Sequence, residues 1–328
     1  MDRDRFQLLI KANLLRLCLP SAGRAGESIC GARPPVKSNR EVRPGDASSE
    51  QGICRRTFSH PEAYSNIRGW IMVTEMNDGF RARLRERQTL IGTIVSSTDP
   101  ATAEVLAECG FDWLFIDAEH GPFETTDLLP VLRAVDHRIP CVVRVPSVEE
   151  IPIKKALDIG ASGIIAPQTN TVDQVESVVR FARYTPQGSR GVGLARATGY
   201  GLRLADYVGS ANDKVAVIVQ AEHIDAVENI EAIVKVEGVD AVFIGPYDLS
   251  ASMGKMGDVA DPAVVDAINH VTSICDAAEM PLGIFGVTAE SVKPYLDRGY
   301  SLIASGVDVL MMAHAAKKML SKLRSAEG

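Results

Sequence analysis

Between residues 113 and 122 an apolar run, Trp113-Leu114-Phe115-Ile116, stops on Asp117, Glu119 and His120, and Gly121-Pro122 follow at once. Two carboxylates and an imidazole are costly to bury without partners, so their grouping at the end of a strand-like stretch points to a site. His120 is the natural proton acceptor, because an unperturbed imidazole titrates near neutrality. Similar endings recur: "CVVRVP" carries Arg144, "VAVIVQAE" carries Gln220 and Glu222, and "AVFIGPYD" carries Asp248. Neighbouring strands run about 4.8 Å apart, so Glu222 and Asp248, at matching ends of adjacent strands, can reach one ion. Two hard oxygen donors, with the remaining positions left to water and substrate, suit Mg²⁺ or Mn²⁺. Arg144 would supply a fixed charge to an oxyanion forming beside that ion; the blander alternative is a structural arginine paired with Asp117 or Glu119. No lysine is well placed at a strand end. Lys154, Lys155, Lys235, Lys293 and Lys317 fall in helices or connections, Lys214 precedes a strand, and Lys255 lies in a loop. This disfavours an imine-forming lysine and favours an enolate held beside a metal.

The elements that must position these residues alternate regularly from Gln88 onward. Strands are expected over 89–96, 113–119, 141–146, 163–169, 215–222, 241–248, 281–286 and 301–308. Helices are expected near 100–108, 124–135, 149–159, 172–183, 225–235, 262–279, 288–298 and 309–324. Near-continuous apolar strands mean a parallel sheet covered by helices. Eight such units point to an α/β fold, a (β/α)8 TIM barrel, whose functional groups cluster at the C-terminal ends of the strands. A doubly wound sheet is the alternative, but neither of its usual glycine-rich phosphate fingerprints is present.

The chain has 328 residues, 46% hydrophobic and 23% charged, and a net charge of −7. With no basic block, nucleic acid is not an expected partner. No apolar run reaches the roughly 18 residues a membrane helix needs. The six cysteines form no CxxC pair and read as free thiols in a reducing compartment, hence the cytoplasm. The first 71 residues differ from the rest, with 12 Lys/Arg against 7 Asp/Glu, where the remainder has 23 against 35. Asp2 and Asp4 argue against a transit peptide, and a disordered tail is a second reading. The preferred reading is a leader upstream of a true start at Met72 or Met76, which packs little. The expected division is therefore 1–75, an extension, and 76–328, the barrel.

From about Met76 onward the sequence resembles the HpcH/HpaI aldolase family. The stretches that carry the likeness, in order, are "GFDWLFIDAEHGP", "VVRVP", "ALDIGASGIIAPQ", "RGVG", "VIVQAE", "VEGVDAVFIGPYDLSASMG" and "GVD". The resemblance implies a metal-dependent, class II pyruvate aldolase, typified by 4-hydroxy-2-oxoheptanedioate aldolase, which uses Mg²⁺, Mn²⁺ or Co²⁺. It implies a homo-oligomer, usually a hexamer built from dimers that exchange the last helix. Its substrate is a 4-hydroxy-2-oxo acid, cleaved to pyruvate and an aldehyde. By position, His120 matches the base and Asp158 its orienting partner, and Arg144 matches the group that stabilises the enolate. Glu222 and Asp248 match the metal ligands. Gln220, Tyr247 and the backbone at Asp248 match the pyruvate contacts. Asp117 and Glu119 are expected around the base and the metal's waters.

The loop "RGVGLARATGYG" (190–201) is shorter than in the heptanedioate enzymes, and "FGVTAE" at the end of the seventh strand also departs from them. Both are expected on the rim that meets the aldehyde half. Keto-deoxy sugar-acid aldolases are an alternative within the superfamily, and a CoA-ester lyase is a more distant one. A non-catalytic binding barrel is the alternative of a different class; failure to turn over any small 2-oxo acid with any metal would revive it.

Overall fold

In the computed structural model, which describes residues 79–325, eight parallel strands close into a barrel in chain order. They are β1 (Leu90–Val95), β2 (Trp113–Asp117), β3 (Cys141–Arg144), β4 (Gly163–Ala166), β5 (Ala216–Ala221), β6 (Ala241–Ile244), β7 (Leu282–Gly286) and β8 (Leu302–Val307). β8 pairs back onto β1, with Leu90 opposite Leu302. The expected (β/α)8 barrel is thus observed, while the expected extension, 1–75, lies outside the described residues.

The helices are α1 (Phe80–Arg85), α2 (Pro100–Glu108), α3 (Thr125–Val135), α4 (Glu150–Asp158), α5 (Val172–Ala182) and α6 (Leu204–Lys214). Then follow α7 (Ile224–Glu228), α8 (Ile230–Ile233), α9 (Pro246–Ser252), α10 (Pro262–Ala277), α11 (Ala289–Asp297) and α12 (Asp308–Ser325). Asp99, Thr171, Asp261 and Thr288 start four of them by accepting first-turn N–H groups, the usual work of short polar side chains at this position.

Three details differ from the sequence reading. The sixth strand stops at Ile244 rather than running to 248, because Pro246 opens α9; proline suits a first helical position, where its missing N–H is no loss. Tyr247 and Asp248 therefore lie in a helical first turn. The 225–235 helix divides at Asn229 into α7 and α8. Helix α6 was not anticipated, because Ala211 alone is buried in it and no apolar stripe marks it.

Side chains alternate across each strand. Trp113, Phe115, Val142, Ile165, Ile218 and Phe243 fill the barrel interior, whereas Leu114, Ile116, Val143, Val217 and Val242 face the helices. The inward phase brings Asp117, Arg144 and Gln220 two residues after Phe115, Val142 and Ile218. The large interior rings need glycines opposite them: a Cβ on Gly283 would come within 2.3 Å of the Phe243 ring.

The strand N-terminal face is closed by α1, whose Phe80 and Leu84 are fully buried. Arg81 and Arg183 donate to the buried Asp240 at 2.8 and 3.1 Å, and the Val217 N–H donates to it at 2.9 Å. Helix α12 is pinned at its start. Its buried Asp308 accepts from Ser96 N, Ser96 Oγ and Ser97 N at 3.0, 2.7 and 2.9 Å. Beyond Asp308 no α12 residue is buried, and Met312, Met319 and Leu323 are exposed. No helix among the described residues is long and apolar enough to cross a membrane. Cys109, Cys141 and Cys275 are free thiols.

Candidate active site

The end of β2 and the end of β3 form one electrostatic unit. Asp117 and Arg144 are register partners. Arg144 donates from Nε and Nη2 to the two oxygens of Asp117 at 2.9 and 2.7 Å, a bidentate pair that fixes the guanidinium plane. Arg144 Nη1 lies 3.2 Å from Glu119 Oε2, and the guanidinium stands 5.3 Å from the Phe115 ring centre. Asp117 also accepts from the Glu119 and His120 N–H groups at 3.2 and 3.3 Å, which shapes the turn that carries His120. Burial disfavours the Asp117 charge, yet Arg144 and the turn N–H groups outweigh it and hold this carboxyl below its ordinary range. Arg144 is likewise opposed by burial and raised overall by Asp117. Asp117 thus serves both Arg144 and the turn that carries His120. Glu119 is pushed up by burial, against the pull of Arg144.

Across the barrel, Glu222 follows β5 and is 2% exposed. Gln168 donates to its Oε1 from the backbone N–H at 2.8 Å and from Nε2 at 3.1 Å, while Gln220 Nε2 donates to Oε2. Burial raises the Glu222 pKa to about 7, the Gln168 N–H opposes the rise, and the charges of Glu119 and Asp248 add to it. Gly245, between β6 and α9, leaves the room Glu222 needs, since a Cβ there would stand 2.9 Å from Glu222 Oε2.

His120, Arg144, Gln220, Tyr247 and Asp248 all line one cavity of about 200 Å³ at this end of the barrel, with apolar walls from Ile94, Phe115 and Phe285. The His120 side chain is 64% exposed, with Nε2 3.8 Å from Glu119 Oε2. The residues present suit a divalent cation. The charges of Asp117, Glu119 and Glu222 act on the single guanidinium of Arg144, and Asp248 acts on Glu119 and Glu222. Gln220 Oε1 is buried without a hydrogen-bond partner, and its amide cannot be reversed without setting oxygen against the Glu222 carboxylate. Among the described residues, no cluster of three or more His, Cys, Asp or Glu converges. Glu222 and Asp248 would be the donors to such an ion, with its other positions left to water, as Mg²⁺ tolerates.

Asp158 is not brought to His120 within the chain. It ends α4, and a helix between two parallel strands returns to the strand N-terminal face, opposite the cavity. There it accepts from Arg190 Nη2 at 2.8 Å. The 190–201 loop lies on that same face, where Arg196 donates to the Ile159 carbonyl at 2.8 Å, so it does not form the rim expected for the aldehyde half of its own site. A larger cleft of about 500 Å³ opens nearby, between Asp136, Arg196, Tyr207 and Lys214. Sequence reasoning had passed over Gln168. The stretch "GIIAPQT" shows a polar residue just past a strand, but not the left-handed turn through which Gln168 acts.

Residues 90–315 match the model of a family described as HpcH/HpaI aldolase/citrate lyase. A hydroxypyruvate/pyruvate aldolase of Cupriavidus necator is 41% identical over 76% of this chain and 93% of its own. A 4-hydroxy-2-oxovalerate aldolase of Novosphingobium aromaticivorans is 39% identical over 77% of this chain and 97% of its own. The crystal structure of an HpcH/HpaI aldolase/citrate lyase family protein from Burkholderia cenocepacia superposes with a TM-score of 0.73 at 38% identity, over 75% of this chain and 99% of that one.

Proposed function

We propose that this chain, which belongs to the HpcH/HpaI aldolase/citrate lyase family and is a lyase of the aldolase type, cleaves a 4-hydroxy-2-oxo acid to pyruvate and an aldehyde with a divalent cation bound by Glu222 and Asp248. The observation that carries this reading is the single cavity that His120, Arg144, Gln220 and Asp248 share, with the buried Glu222 hydrogen-bonded to Gln220.

Mg²⁺, Mn²⁺ or Co²⁺ at those carboxylates would act as a Lewis acid on the substrate's 2-oxo group. His120, through a water, takes the proton of the C4 hydroxyl. The C3–C4 bond breaks as the C4 carbonyl of the aldehyde forms. The electron pair moves to C2–C3, and negative charge develops on the C2 oxygen, where the fixed guanidinium of Arg144 meets it. The proton held by His120 returns through the water to C3 and gives pyruvate. Gln220 and the first turn of α9, at Tyr247 and Asp248, flank the pyruvate half. The small cavity with apolar walls supports a short aldehyde; relatives named for 4-hydroxy-2-oxovalerate agree with it, while those named for 5-keto-4-deoxy-D-glucarate keep a sugar-acid substrate as the alternative.

His120 still needs an orienting partner. Asp158 can fill that role only from a neighbouring copy, since its own chain holds it on the opposite face. The exposed apolar residues Val192, Leu194 and Leu202 near it, and those along α12, support a homo-oligomer, in our reading a hexamer. The free thiols support a cytoplasmic location.

Oxaloacetate decarboxylation tests the reading without knowledge of the aldehyde, because it passes through the same enolate. The protein is stripped with a chelator and assayed with and without Mg²⁺, Mn²⁺ or Co²⁺. Pyruvate release that requires metal and is lost in Glu222→Ala is the expected result. No release with any of the three rejects the proposal.

A further inference from the structure

Gln168 stands two residues beyond the end of β4 with φ of +50°. A residue with a Cβ enters this left-handed region only against steric resistance. The turn is therefore imposed by something it accomplishes. Beside it the hydroxyl of Thr169, 1% exposed, donates to the Gln220 carbonyl at 3.1 Å and fastens the turn to the end of β5. With the backbone so turned, the Gln168 N–H meets Glu222 Oε1 at 2.8 Å, and Nε2 of the same residue returns to that oxygen at 3.1 Å. Gln168 is exposed and Glu222 is buried. An exposed amide is folded onto a buried carboxylate instead of extending into water.

A carboxylate offers about four lone-pair sites. Gln168 occupies two on Oε1 and Gln220 occupies one on Oε2. One site remains, enough for a single bond to a cation, on a side chain that can no longer rotate. We propose that Gln168 is the positioning residue of the metal site, its paired donors aiming Glu222 and setting the affinity for the divalent cation. This rests on the reading of Glu222 as a metal ligand.

Two substitutions separate positioning from simple structure. Gln168→Met keeps the length and removes the side-chain donor. Gln168→Gly removes the same donor but relaxes the left-handed turn. Both retain the backbone N–H. Mn²⁺ binding to the metal-free, full-length protein is measured by calorimetric titration, alongside the melting temperature of the metal-free form and turnover of oxaloacetate at saturating Mn²⁺. Both variants are expected to raise the Mn²⁺ Kd about 10–100-fold, the usual cost of losing a group that holds a metal ligand. Their melting temperatures should move apart, and turnover should recover once Mn²⁺ saturates. No weakening, or weakening confined to one variant, overturns the proposal. So does a Kd that simply follows the melting temperature. Glu222→Gln is the control. If it still binds Mn²⁺ as the parent does, the metal reading and the proposal fall together. If binding is lost there but unchanged in both Gln168 variants, the proposal alone falls.

Discussion

Asp117 and Arg144 face each other in register on β2 and β3 and share two hydrogen bonds, of 2.9 and 2.7 Å, with both residues almost wholly buried. A guanidinium has five N–H donors, so three remain after Asp117 is served. The cation is thereby held in one orientation at the cavity wall before any substrate arrives, and it needs no rearrangement when charge develops beside it.

Arg144→Ala should therefore lower kcat for oxaloacetate decarboxylation by about 10²–10³, the range for losing a preorganised donor to an oxyanion. Arg144→Lys should recover little, because an ammonium cannot reproduce the bidentate plane. Asp117→Asn should lower kcat as well, while Mn²⁺ affinity stays near the parent value. Near-full turnover in Arg144→Ala would show that the arginine is only a structural partner of Asp117 and Glu119.

The raised pKa of Glu222, about 7, gives a pH dependence with a definite sign. The folded value lies above the ordinary value of 4.5, so the neutral carboxyl is favoured in the folded protein. Its contribution to metal-free stability is complete below about pH 4.5 and is lost as pH rises through about 7. A cation needs the ionised form, so binding below pH 7 displaces a proton and affinity falls by up to about tenfold per pH unit. Between pH 5 and 8 the metal-free parent should lose melting temperature relative to Glu222→Gln, while its Mn²⁺ affinity increases. Parallel melting curves for the two proteins would refute the shift.

The buried network at the other end of the barrel affects stability alone. Asp240 is 2% exposed and pairs with Arg81 and Arg183. Burial, with repulsion from Arg81, lowers the Arg183 pKa to about 10, so the pair depends on the aspartate. Asp240→Asn leaves two largely buried cations without their counter-charge, at about 3–5 kcal/mol, and should lower the melting temperature by on the order of 10 °C. Specific activity of the folded fraction at 25 °C should be unchanged, because this network lies on the face opposite the cavity. Scanning calorimetry beside an activity assay checks both.

Much of this arrangement is legible in the sequence for a plain reason. Every strand of a closed parallel barrel is buried on both faces, so a strand reads as an apolar run, and a polar residue at its end must lie on the rim. Asp117, Arg144, Gln220 and Glu222 are visible in that way. Tyr247 and Asp248 were found but placed on a strand, since Pro246 is ambiguous between a strand end and a helix start until the fold is known. Gln168 was passed over because its work depends on a backbone angle of +50°, and no residue pattern announces left-handed geometry at a non-glycine. Asp158 shows a second limit. Its sequence neighbourhood, "ALDIG", identifies the end of a helix, and the expected alternation of strand and helix already puts that end on the face away from His120; what a single sequence leaves out is where a second copy stands.

That separation makes the final prediction specific to assembly. If Asp158 orients His120 across a contact between copies, then His120→Ala and Asp158→Asn remove different halves of one composite site. Each variant alone should be strongly impaired in cleaving a 4-hydroxy-2-oxo acid such as 4-hydroxy-2-oxovalerate. Both should still bind Mn²⁺, because Glu222 and Asp248 are untouched. Mixed oligomers, made by co-expressing the two with different affinity tags and purifying through both tags, contain some contacts at which an intact His120 meets an intact Asp158. Activity in the mixture should therefore exceed that of either variant alone. A mixture no more active than its parents, at equal Mn²⁺ occupancy and with an unchanged oligomer mass by light scattering, would confine Asp158 to its bond with Arg190 and leave His120 to work without it.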